Sequence, residues 1–161
     1  LHDALPISIH TTATMKTLIL MRGLPGSGKS TKAKNLQKQH GGMIFSSDEF
    51  CIVNGVYQWT PTKAPLVNEI TVSHTKIAMH VDEMETIIVD NVNIRLLEMY
   101  PYLELAIDHE YKIRYEYSDA SWAWDVDECA KRNTHGVSRE TIQEMLDHYE
   151  DTDAYVTKCK W

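Results

Sequence analysis

The sequence predicts an α/β fold: a parallel sheet of four to five strands with helices on both faces, three layers in all. Three observations carry this expectation. Short aliphatic runs such as TLILM (17–21) and TIIV (86–89) have the unbroken apolar character of strands buried on both faces. Longer segments with helical spacing separate them, and strands joined through helices pair in parallel by right-handed crossovers. A glycine-rich stretch links the first strand to the first helix. The 161 residues suit one domain, and 43% apolar with 24% charged residues is near the average of folded chains, which excludes a disordered polar chain.

In chain order, KTLILMR (16–22) is the first strand, and a helix follows from Lys29 to His40, stopped by Gly41-Gly42. GMIFS (42–46) reads as the second strand. In the segment 50–64, Asn54-Gly55 signals a turn. A helix from about Pro65 to His80 has Pro65 in its first turn and Leu66, Ile70, Ile77 and Val81 on one face, expected to be its buried face. TIIVD (86–90) is the third strand. Residues 95–109 have a helical pattern in which Pro101 either kinks the helix or marks its first turn. YKIRYEY (111–117) alternates as a strand nearer a sheet edge, and residues 119–133 look helical. After the turn NTHGV, a last helix is capped by Ser138 and carries Ile142, Met145, Leu146 and Tyr149 as its apolar stripe.

Residues 1–14 lack an initiating Met and a basic leader region, so they read as a non-native extension before a start at Met15. The domain is expected over 15–151, with 152–161 as a tail of little helical pattern. The net charge of −7 argues against broad gripping of duplex nucleic acid, though not against reading one strand end. Cys51, Cys129 and Cys159 are far apart and odd in number, which predicts a reduced, cytoplasmic protein rather than a disulfide scaffold. The apolar runs are too short to span a bilayer, so no membrane is expected as a partner.

The stretch GLPGSGKS (23–30) satisfies the spacing GxxxxGK followed by Ser or Thr, between a strand and a helix as that motif requires. This predicts a P-loop NTPase fold that binds ATP and Mg2+. Triphosphate oxygens need several donors converging at short range, and backbone amides supply them without bulk. Gly23, Gly26, Ser27 and Gly28 shape the loop, and the N-terminus of the following helix adds partial positive charge. Lys29 is placed to reach the β- and γ-phosphates, the Ser30 hydroxyl to ligate Mg2+, and Thr31 to add a donor at the α-phosphate. A plain strand–helix turn would need neither Lys29 nor Ser30.

A glycine loop alone does not separate a hydrolase from a kinase. Asp48, in SSDEF, falls just past the second strand, at the sheet edge where α/β proteins place ligands. It either accepts the proton of an acceptor hydroxyl or caps a helical turn. Asp90, ending the third strand, either holds Mg2+ or bonds local backbone. Arg132, in AKRNTHGV, either swings from a short helical lid onto the phosphates or complements a helix end. Trp122 and Trp124 suit lid packing better than base stacking.

The ordered set RGLPGSGKST, FSSDEF, IIVDNVN, LEMYPY and AKRNTHGVSRETIQEMLDHYE, spanning Lys16 to Glu150, resembles the polynucleotide kinase-like P-loop kinases. Within them it is most similar to the kinase-like domain of the NEDD-four-binding protein two group. The resemblance implies ATP-dependent, Mg2+-assisted phosphorylation of a hydroxyl, foremost the 5′ end of a polynucleotide, and a strand order like that of the adenylate-kinase-like group. It also implies Lys29, Asp48 and Arg132 as catalytic residues, with Ser30 and Asp90 at the metal. The sequence departs from the family at Cys51, where an arginine is usual, at Val92 in DNVN, and at Asn68 and Thr71, where His and Asn are usual. A second lid arginine is also absent. A nucleoside or sugar kinase and a non-catalytic ATP-binding adaptor are the alternative readings.

Overall fold

The computed structural model describes residues 14–152. All of the expected extension but its last residue, and all of the tail but its first, lie outside that range. Strands β1 (Thr17–Arg22), β2 (Met43–Phe45), β5 (Thr86–Val89) and β6 (Lys112–Tyr117) form one sheet in the order β2-β5-β1-β6. Every pairing in it is parallel, with Leu18 opposite Ile87 and Ile113 in the central register. The expected parallel sheet of four to five strands is present with four, β6 at one edge.

The alternation of side chains along β1 divides the core. Leu18 and Leu20, with Ile87 and Val89, face Met79, Met99, Tyr102 and Ala106 from helices α2 (Ala64–His80) and α3 (Leu96–Asp108). Ile19, Met21 and Ile88 face Ala33 and Leu36 of α1 (Lys29–His40) on the opposite side. The result is three layers, and each fully buried aliphatic side chain contributes about 1.5–3 kcal/mol of transfer free energy. A third cluster packs Leu24 and Ile94 against α4 (Val126–Arg132) and α5 (Arg139–Asp147), with Ile142 fully buried and Met145, Leu146 and Tyr149 beside it. Ser138 caps α5 by accepting from the Thr141 amide at 3.2 Å. Among the described residues no helix is long and apolar enough to cross a membrane.

Two elements differ from expectation. The buried face of α2 is Val67, Thr71, Thr75, Ala78 and Met79, while Leu66, Ile77 and Val81 are exposed. The two threonines can be buried because their hydroxyls donate to the carbonyls one turn earlier, Thr71 to Val67 and Thr75 to Thr71, each at 2.9 Å. Residues 119–125 are not helical, with a turn at 121–124, and α4 starts only after Asp125, whose carboxylate accepts the Glu128 amide at 3.0 Å. Pro101 lies inside α3, past the first turn, which begins where Arg95 and Glu98 exchange bonds. Asn54-Gly55 turns a small antiparallel hairpin, β3 (Ile52–Val53) and β4 (Val56–Tyr57), with φ of 50° and 77° at the two turn residues.

Arg22, fully buried at the end of β1, ties the domain together. Its Nε donates to the Asn93 carbonyl at 2.9 Å and its Nη2 to those of Ile94 and Glu150 at 3.1 and 2.6 Å. Its guanidinium also lies over the Tyr149 ring at 4.6 Å. Arg22→Leu would leave the Asn93 and Glu150 carbonyls without this donor, Ile94 still accepting the Glu150 amide at 3.0 Å, and is expected to cost about 3 kcal/mol, lowering Tm by roughly 10 °C in a thermal melt.

Candidate nucleotide and acceptor site

The loop between β1 and α1 is shaped by close approach. Gly26 has φ of 76°, and a Cβ there would overlap the Cys129 carbonyl oxygen and lie 2.8 Å from the Asn133 nitrogen. Only glycine lets α4 close onto the loop at this point. Gly28 precedes α1 with φ of 89°, and no side chain caps the helix. The amides of Lys29, Ser30 and Thr31 therefore have no intrahelical acceptor and form a donor cluster at the positive end of the helix. The Gly23 amide is already donated to the Val92 carbonyl at 3.0 Å.

Lys29 and Asp90 are both nearly buried, with the ammonium 3.6 Å from Asp90 Oδ1. That oxygen has no hydrogen-bond partner, and neither does the buried Ser27 hydroxyl. Buried polar groups left this way are uncommon in native proteins and ask for a ligand. A carboxylate oxygen with no hydrogen bond, a serine hydroxyl at position 30 and a cluster of free amides are the hard oxygen and N–H set that suits a Mg2+–triphosphate.

The loop opens into a cavity of about 1080 Å³ lined by Gly26, Gly28, Lys29, Ser30, Thr31, Asp48 and Arg132 among others. A smaller recess of about 450 Å³ adjoins it and is shared by Ser30, Asp48 and Asp90. The structure thus gathers Lys29, Ser30, Thr31, Asp48 and Arg132 around one space, with Asp90 in the adjoining recess. Gly23 and Ser27 are buried within the loop and do not line the cavity.

Asp48 lies on a 3₁₀ helix (Ser47–Cys51) just after β2. The cap of that helix is Ser46, which accepts the Asp48 amide at 3.3 Å, so the Asp48 carboxylate is left free of capping. The helix is fixed from behind. The Ser47 amide donates to Asn91 Oδ1 at 2.9 Å, and the Ser47 hydroxyl meets Thr71 Oγ1 at 3.0 Å. Asn91 continues through the Tyr102 hydroxyl to Asn68, at 3.3 and 3.5 Å. Two further side chains address the carboxylate directly: the Tyr57 hydroxyl donates to Oδ1 at 2.8 Å, and His135 Nε2 lies 3.4 Å from Oδ2. The Tyr57 and His135 rings stack at 4.1 Å. Burial first, then the bond to Asp48, push the Tyr57 phenol well above its ordinary range, so it remains a proton donor. Cys51 is buried, and burial followed by the Asp48 charge raises its thiol, so it offers neither a cation nor a thiolate to the cavity.

Arg132 rests with its guanidinium 3.8 Å over the Trp122 ring and its Nε 3.2 Å from Glu128. The Trp122 indole in turn donates to the Gly26 carbonyl at 3.2 Å. Asn133 closes the following turn by donating to the Ala130 and Val137 carbonyls and accepting the Val137 amide. The sequence reading missed Tyr57, His135 and Asn91. The only hint was their position: Tyr57 follows the Asn-Gly turn, His135 sits in the lid turn, and Asn91 follows the strand-end aspartate.

A family model described as an AAA domain matches residues 18–152. NEDD4-binding protein 2 of Homo sapiens is 40% identical over 134 residues, which is 83% of this chain but 8% of that protein. Among solved structures, a chain of the Pnkp1/Rnl/Hen1 RNA repair complex matches with a TM-score of 0.65 at 18% identity, covering 94% of this chain and 48% of that one. A gluconokinase from Sinorhizobium meliloti 1021 matches with a TM-score of 0.59 at 14% identity, covering 86% and 77%. At such identities the structural likeness establishes the fold and leaves the substrate open. Because the family model spans nearly the whole described chain and the glycine loop lies within it, this chain belongs to the AAA domain family and has its P-loop kinase-like fold.

Proposed function

We propose that this chain transfers the γ-phosphoryl group of ATP to a hydroxyl acceptor, the 5′-hydroxyl of a polynucleotide end. One observation carries the reading: the Asp48 carboxylate, uncapped, faces the same cavity as Lys29 and the free amides at the start of α1. A carboxylate at this position can take the proton of an incoming hydroxyl, and a cavity of about 1080 Å³ leaves room for an acceptor larger than water. The resemblance to a nucleic-acid repair complex and to a kinase of small molecules supports phosphotransfer without choosing between acceptors.

In this reading the amides of Lys29 to Thr31 bind phosphate oxygens, and the Lys29 ammonium moves from Asp90 toward the β- and γ-phosphates. Ser30 and Asp90 would hold Mg2+, which neutralises charge on the phosphates when bound. Asp48 orients the acceptor hydroxyl and takes its proton as the new O–P bond forms and the bond from the γ-phosphorus to the β,γ-bridging oxygen breaks, with ADP leaving. Arg132 leaves the Trp122 ring to complete the charge clamp. The test is incubation with γ-labelled ATP and Mg2+ and a panel of 5′-hydroxyl oligonucleotides, nucleosides and sugars. Label on nucleic-acid ends is expected; label on sugars alone would replace the acceptor, and an ATP-induced rise in Tm with no acceptor labelled would favour the adaptor reading.

Lys29→Ala is expected to lower kcat/KM by roughly 100-fold or more and to shrink the ATP-induced rise in Tm. Unchanged turnover, measured by ADP release, would remove Lys29 from the phosphate clamp.

A further inference from the structure

The acceptor end of the cavity differs in chemistry from its phosphate end. Its wall is made by Tyr57, Trp59, Pro61, Pro65 and Val67, with Asn68 as its amide and Asp48 where it meets the loop. The lysine and arginine that line the cavity, Lys29 and Arg132, both belong to the phosphate end: one starts α1 and pairs with Asp90, and the other rests on the Trp122 ring that bonds the glycine loop. Cys51, where a cation could have stood, is buried. Lys63 is the ammonium near this wall, and it does not line the cavity but donates to the Gln58 carbonyl at 3.3 Å. Asp48 and Glu98 also line the space, as does His135, whose Nε2 lies 3.4 Å from Asp48, so no lysine or arginine of the acceptor end meets an anionic backbone.

Trp59 is the other half of the observation. It is 49% exposed, and among the described residues no ring or cation packs on its face. A half-exposed indole at a cavity wall, with no ring or cation packed on it among the described residues, is a platform for a flat, uncharged partner. Strand-binding grooves combine such platforms with cations that follow the phosphates. Here the platform is present and the cationic track is not.

We propose that the acceptor is gripped through a single nucleobase: the terminal nucleoside stacks on Trp59, with its 5′-hydroxyl at Asp48, and the phosphates behind it contribute little. The proposal rests on the kinase reading and narrows its acceptor to a unit no larger than the end nucleoside. A free nucleoside or a dinucleotide should then serve nearly as well as a long strand, and acceptor binding should be nearly blind to salt.

The test measures kcat and KM of the full chain, at saturating Mg2+–ATP, for a nucleoside, a 5′-hydroxyl dinucleotide and a 5′-hydroxyl dodecamer, at low and at moderate KCl. The expected result is KM values within about three-fold across the three lengths and a salt slope below about one, the limit set by one phosphate contact per strand. Trp59→Ala should raise KM for all three acceptors by roughly 10-fold or more with kcat little changed, and Trp59→Phe should restore most of the loss. A merely structural tryptophan would instead lower Tm and change KM for ATP. Labelling of the dodecamer with the nucleoside inert, or a KM that climbs with salt at a slope of several, overturns the base-grip proposal while leaving the kinase reading intact. Phosphorylation of sugars with Trp59→Ala without effect also overturns it. Absence of any labelled acceptor, with ATP still raising Tm, overturns both.

Discussion

Asp48→Asn is expected to leave ATP affinity within about two-fold of wild type and to lower phosphoryl transfer by roughly 100- to 10,000-fold. The asymmetry follows from what Asp48 touches. Its carboxylate accepts from Tyr57 and lies 3.4 Å from His135 Nε2, and neither contact involves the amides of α1. An asparagine keeps the volume and an oxygen that can accept from Tyr57, so the 3₁₀ helix, capped independently by Ser46, should stay in place. What is lost is the ability to take a proton. Single-turnover measurements with preloaded ATP separate this from product release. A rate near wild type would assign proton acceptance elsewhere, with His135, 3.4 Å away, the next group to substitute.

Gly26→Ala should do more damage from a smaller chemical change. The added methyl would meet backbone atoms of Cys129 and Asn133, and backbone cannot rotate away as a flexible side chain can. The φ of 76° adds left-handed strain for any residue with a Cβ, together about 2 kcal/mol or more. Relief requires α4 to move off the loop, which breaks the Trp122–Gly26 bond and displaces Arg132 with its helix. The expected outcome is a Tm lower by about 5 °C or more and loss of measurable ATP uptake by equilibrium dialysis. Retained uptake would mean that α4 and the glycine loop can separate without cost to the phosphate site.

The parts of the molecule read from sequence are those governed by local rules. Apolar runs without interruption identified β1 and β5, Ser138 marked the start of α5, and Asn54-Gly55 its turn, because each signal lies within a few residues of the feature it specifies. The glycine loop was legible for the same reason. The face of α2 was misread because threonine counts as polar in a periodicity, yet Thr71 and Thr75 spend their hydroxyls on their own helix and enter the core. The start of α4 was misread because Trp122 and Trp124 gave the preceding turns a helical look, while the Asp125 cap set the boundary. Tyr57 and His135 were missed because their partner is 9 residues away for one and 87 for the other, and no spacing rule joins a hairpin, a lid turn and Asp48.

The small hairpin of β3 and β4 has a consequence for access. It consists of two residue pairs, and Ile52, Val53 and Val56 are all exposed, so little apolar surface holds it to the body. Segments of that kind sit at the low end of local opening free energies. Hydrogen exchange at residues 52–57 should therefore run far ahead of exchange in β1, and a bulky guest could enter beside Asp48 by lifting this flap while the central sheet stays shut.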